Sequence, residues 1–116
     1  MKYLGIVRTT NHEALTGEPP AALFEALDEQ GKAAAAKLVA GGPMYNLGLG
    51  RVRGGKLTMD GPFTETKEMI AGYALYELDS PEEMMAFTEA FLELHRIHWP
   101  EWEGKVEIRE LGNGMG

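Results

Sequence analysis

The run "MIAGYALYEL", Met69 to Leu78, constrains this chain more than any other stretch. Side chains alternate along a strand. Ile70, Ala74, Tyr76 and Leu78 therefore fall on one face, and Met69, Ala71, Tyr73 and Leu75 on the other. Both faces are largely apolar, the pattern of a strand covered on both sides. One layer of helices covers one face. A chain of 116 residues, 44% of them apolar, has the material for a single domain with one core. The second cover is therefore expected from a partner copy, as a homodimer through its sheet faces.

The flanking segments supply the rest of the fold. Residues 2–8 predict a first strand, with Leu4 and Ile6 to one side and Tyr3 and Val7 to the other. Thr9 to Pro20 is a polar loop. A helix is predicted from near Pro20 to Ala40, stopping at Gly41-Gly42, because glycine is favoured just past a helix end. Leu23, Leu27, Ala34 and Leu38 share one helical face, and Gly31 interrupts the pattern. "PMYNLGLGRVRGGKLTMDG" predicts an irregular hairpin that turns at Arg53-Gly54-Gly55-Lys56. Ser80-Pro81-Glu82-Glu83 is a capping box with proline at the first helical position. Pro100 should end that second helix, and "KVEIREL" closes the chain as a last strand. The order strand, helix, hairpin, strand, helix, strand predicts an α+β, ferredoxin-like sandwich: an antiparallel sheet with helices on one face, residues 1–116 forming one domain.

Charge and composition narrow the function classes. Eighteen acidic residues against 11 basic give a formal charge of −7. That argues against nucleic-acid binding, which needs clustered Lys and Arg. Arg51, Arg53 and Lys56 flank the Gly-Gly turn and read as a solvated hairpin end. Without cysteine there is no disulfide, thiolate metal site or Cys nucleophile. The amino terminus "MKYLGIVRTT" lacks the features of a signal peptide. No apolar stretch approaches the ~20 residues that span a bilayer, and a cytoplasmic location without membrane association is expected. Nothing calls for a cofactor.

The second helix holds the main chemical signal. Met84, Phe87, Phe91, Leu94 and His98 fall within roughly one 80° arc at ~100° per residue, with His98 near its middle and His95 at its edge. Three readings stay open for the two histidines. They are hydrogen-bonded core or interface groups near a helix end, an acid or base that titrates near neutral pH, or two metal ligands whose third is not evident. Trp99 and Trp102 flank the Pro100 break, where such residues cap a core, pack at an interface or stack on a ligand. His12 lies in the polar loop.

Asp60-Gly61-Pro62 is a turn on its own terms, since Asp accepts backbone hydrogen bonds, Gly allows positive φ and Pro fixes the next φ. Phe63 is expected to plug inward, and Glu65, Lys67 and Glu68 read as solvated charges or as the lip of a cleft. "MDGPFTETKEMIAGYALYELDSPEEM" resembles the YCII-related, DGPF-motif proteins. The resemblance extends to "MKYLGIV", "LVAGGPMYNLG" and "VEIREL", and the tail "FLELHRIHWPEWEGKVEIREL" resembles one subgroup. It implies a ferredoxin-like fold that dimerises through its sheets into an α+β barrel. It also implies either a small enzyme with a His-Asp pair in a cleft or a module associated with sigma factors of transcription. Of that pair only Asp60 is matched by motif, because the early histidine of the YCII type has no counterpart in the first strand.

Two functions from different classes follow. In the enzyme, Asp60 orients His98 or His95, which moves a proton on a small molecule. Arg8 or Lys67 holds an anionic group, and Phe63, Glu68 and Trp99 line the site. No nucleophile is evident, so isomerase or lyase chemistry is favoured. The alternative is a ligand-binding or regulatory dimer module linked to sigma-factor-type transcription regulation; a purely structural dimer whose polar loop locks the interface stays open beside both.

Overall fold

The computed structural model describes residues 1–64 and 68–113. Its elements are β1 (Lys2–Thr9), α1 (Ala21–Ala33), β2 (Leu38–Pro43), β3 (Leu49–Arg53), β4 (Lys56–Asp60), β5 (Met69–Glu77), α2 (Pro81–His98) and β6 (Gly104–Leu111). Four strands form one antiparallel sheet in the order β2-β5-β1-β6. β1 and β2 run parallel with β5 between them, and β5 and β6 run parallel with β1 between them. Two split βαβ units thus interlock, which is the ferredoxin-like α+β arrangement.

The predicted strands at both ends of the sequence and the strand predicted from Met69 are present as β1, β6 and β5. Tyr3 on β1, Tyr76 on β5, Leu78 just beyond it, Ala34 after α1 and Met84 on α2 form the buried core. Leu38, Ala74, Phe87 and Ile108 pack against it. Ser80 caps α2 as expected, its hydroxyl accepting from the Glu83 amide at 3.2 Å. The Glu83 carboxylate takes the Lys37 ammonium at 3.0 Å, which ties the start of α2 to the α1–β2 connection. α2 runs to His98, one residue before the pre-proline Trp99.

The first helix differs from expectation. It ends at Ala33, and Leu38–Pro43, expected as its last turn and the stop beyond it, is the edge strand β2. The place beside β5 decides this. Glu77 donates its amide to the Lys37 carbonyl at 2.8 Å and Met44 donates to the Ala71 carbonyl at 3.2 Å, bracketing a ladder that overrides the helix preference of the alanine run. The approach is close, since a Cβ on Gly72 would lie 2.7 Å from the Gly42 carbonyl oxygen.

The predicted hairpin is β3–β4, joined by Gly54 and Gly55 at φ 58° and 76°, the left-handed pair a two-residue hairpin turn uses. It is a separate two-stranded sheet, and every residue from Gly50 to Thr64 is exposed. Phe63, expected to plug inward, is 46% exposed. Its backbone is instead clamped by Asn46, whose Nδ2 donates to the Phe63 carbonyl at 2.6 Å and whose Oδ1 accepts from the Phe63 amide at 3.4 Å. Both helices lie on one face of the main sheet. On the other face Leu4 pairs with Leu75 and Ile6 with Tyr73, all half-buried, and among the described residues no element covers them. Among those residues no helix is long and apolar enough to cross a membrane.

Candidate functional site

The chemistry concentrates where α2 ends beside β1 and β6. The inward stripe of α2 is Met84, Thr88 and His95, all buried, with the half-buried Phe91, at offsets of 0, 4, 11 and 7. His95, rather than His98, therefore sits in its middle, and it is 6% exposed. Its ring contacts Phe91 at 4.5 Å and Trp102 at 4.4 Å between centroids. Trp99 stacks beyond Trp102 at 6.5 Å.

Hydrogen bonds hold this cluster from both sides. His95 Nδ1 lies 3.0 Å from the Phe91 carbonyl oxygen. A carbonyl can only accept, so Nδ1 carries the proton of the neutral ring and Nε2 is the basic nitrogen. Burial lowers the His95 pKa below the usual imidazole range, with the Phe91 carbonyl acting in the opposite sense. Trp102 donates its indole N–H to the Thr9 hydroxyl at 2.8 Å. Asn11 donates to the Glu101 carbonyl at 2.8 Å and accepts from the Glu103 amide at 3.0 Å, fixing the loop that carries Trp102. Gly104 makes the packing possible, because a Cβ there would collide with the Trp102 ring.

Two spaces flank the cluster. A groove of ≈ 750 Å³ runs along α2 and β6, with Leu92, Arg96, Pro100 and Trp102 in its wall. A cavity of ≈ 20 Å³ lies under α2 beside Gly5, Phe87 and Phe91. Trp102 lines the groove, Phe91 lines the cavity and Thr88 lines both, whereas His95 lines neither. The imidazole thus sits behind the aromatic rings that wall these spaces.

The other expected site residues are dispersed. Asp60 is exposed at the end of β4, and no hydrogen bond or ion pair joins it to His95 or His98. His98 is half-buried as the last residue of α2, and Trp99 is its half-buried C-cap. Arg8 pairs with Glu107 at 3.7 Å, and Arg109 donates to the same carboxylate at 2.9 Å. Glu68 pairs with Lys105 at 2.6 Å. Lys67 and Glu65 lie outside the described residues. Among the described residues no three His, Cys, Asp or Glu side chains group as metal ligands. The reading from sequence alone gave Trp102 only as a cap, interface or stacking residue, and passed over Thr9 and Thr88. Counting Thr88 with the apolar stripe would have widened its arc to take in His95.

Residues 1–91 match the model of the YCII-related domain. No curated protein matches the chain. Among solved structures it is similar to 5-chloro-2-hydroxyhydroquinone dehydrochlorinase (TftG) from Burkholderia phenoliruptrix AC1100, in complex with 2,5-dihydroxybenzoquinone. The two are 19% identical over 98% of this chain and 96% of that one, with a TM-score of 0.48.

Proposed function

The chain belongs to the YCII-related family, and we propose that it is a small cofactor-independent enzyme in which His95 accepts a proton from a small molecule. The carrying observation is the pinned imidazole. A base near neutral pH needs an unprotonated nitrogen with a lone pair to offer. Burial keeps the His95 ring neutral, and the Phe91 carbonyl leaves Nε2 as that nitrogen. His98, at the end of the same helix, is the second candidate for moving a proton.

The groove beside α2 is the proposed entrance, and the way to Nε2 runs past Trp102. Leu92, Pro100 and Trp102 favour a flat, weakly polar substrate, and Arg96 offers a cation to an acidic substituent in exchange for Glu93. Proton transfer by one imidazole fits isomerisation or elimination. We further propose that the enzyme is a homodimer through the open sheet face, on which Leu4, Ile6, Tyr73 and Leu75 await cover, and that it works in the cytoplasm, which a cysteine-free chain suits. Nothing among the described residues favours the regulatory module.

Long-range ¹H–¹⁵N NMR at neutral pH should report His95 as the Nδ1–H tautomer. Turnover should then be sought in a panel of small phenols, enols and carboxylic acids, with wild type and His95→Gln side by side. Loss of turnover in a folded variant supports the base. Full turnover by that variant removes His95 from the chemistry.

A further inference from the structure

We propose that the β3–β4 hairpin is an exchanged arm whose apolar face docks on a second copy of this chain. The inference rests on the homodimer proposed above and adds a contact that the sheet-face dimer does not require.

The hairpin is built for a surface it does not have. Its register pairs Val52 with Leu57 and Gly50 with Met59, so these residues share one face. Gly50 leaves the room that Met59 fills, since a Cβ there would lie 2.9 Å from the Met59 sulfur. The opposite face carries Arg51, Arg53, Thr58 and Lys56. Val52, Leu57 and Met59 remain 72%, 72% and 74% exposed. A lone two-stranded hairpin is marginal in water, and an apolar face of this kind normally lies against a core. The Asn46–Phe63 clamp fixes the base of the arm and so presents it in a defined direction.

Three observations select a second copy as the occupant. The first is area. Seven of the twelve large, exposed apolar side chains fall between Met44 and Phe63. Three of them, Val52, Leu57 and Met59, make up the hairpin face itself, and the rest lie in the segments that lead into and out of it. The second is charge. Residues 49–60 hold three basic side chains and one acidic, net +2, so the chain's −7 leaves −9 on the rest. A basic arm reaching an acidic body is complementary between copies. The third is continuity. The arm leaves the sheet between β2 and β5, at the edge of the face proposed to meet the partner.

The cysteine-free sequence permits a direct test. A single Leu57→Cys variant, labelled with a benzophenone maleimide and mixed as ¹⁴N and ¹⁵N protein, should crosslink between isotopically different chains. A Leu57→Glu, Met59→Glu variant should weaken the dimer by at least about tenfold in sedimentation, as loss of buried anchors does, with an unchanged circular dichroism spectrum. Reversing Arg51 and Arg53 to Glu should weaken it as well. A dimer of unaltered affinity in these variants, or crosslinks confined within one chain, overturns the arm and leaves the sheet-face dimer standing. A wild-type chain that stays monomeric at every concentration removes both.

Discussion

One backbone carbonyl decides which nitrogen of His95 is basic, and its burial decides when. The unfolded side chain titrates near about 6.5, and the folded one lower because burial disfavours the cation. Above about 6.5 both states are neutral and the full stability is present. As pH falls below that value the unfolded chain takes the proton first. Stability then drops until the pH passes below the folded value. The paired carboxylates Glu83, Glu93 and Glu107, lowered by Lys37, Arg96 and Arg109, act below their ordinary value of 4.5. Urea midpoints at pH 7.5 and 5.5 should therefore separate in wild type and converge in His95→Phe, which keeps an aromatic ring between Phe91 and Trp102. Gly104 offers a second test at this scale. Its missing Cβ holds space for Trp102 and sits 2.5 Å from the Arg8 carbonyl. Gly104→Ala should lose about 1–3 kcal/mol of stability by overpacking and move the His95 titration toward the ordinary value, as read by NMR.

At the level of elements, what was legible was what depends on local pattern. The strand β5, the Ser80 cap, the Gly54-Gly55 turn and the proline stop after α2 are each written in a few adjacent residues, and the structure has all four. Ser80→Ala should remove about 1 kcal/mol, the usual worth of an N-cap, measurable by urea unfolding. What escaped depends on neighbours distant in sequence. The alanines around Ala33 to Ala36 favour helix, yet β5 supplies a ladder that only the folded sheet contains, and Leu38–Pro43 joins it. The packing around His95 failed to show for a similar reason. Thr9, eighty-six residues before His95, holds the indole that stacks on that histidine, and no spacing rule links them. Asp60, which the motif brings forward, ends β4, a strand exposed along its whole length. A hairpin pattern says how two strands pair and not what they pack against.

The whole molecule carries the argument for a partner. Its radius of gyration is 16.3 Å, where a compact chain of this length has about 13 Å. The principal extents of 47 × 43 × 18 Å describe a slab one sheet and one helix layer thick. A closed monomer would bury the Leu4–Leu75 and Ile6–Tyr73 pairs, and this one leaves them on an open face rimmed by the Arg8–Glu107–Arg109 ion pairs. Two such faces stacked at the ~10 Å spacing of packed sheets would supply the layer that β5 lacks. Leu75→Glu tests this because it places a charge on the open face and leaves the core between sheet and helices untouched. We expect wild type to scatter light as a dimer and the variant as a monomer, with helix content preserved and small-angle scattering showing the thickness of one slab. A variant that stays dimeric would place the contact elsewhere. A variant that unfolds would show that the open face is already part of this chain's own core, which its half-exposed residues argue against.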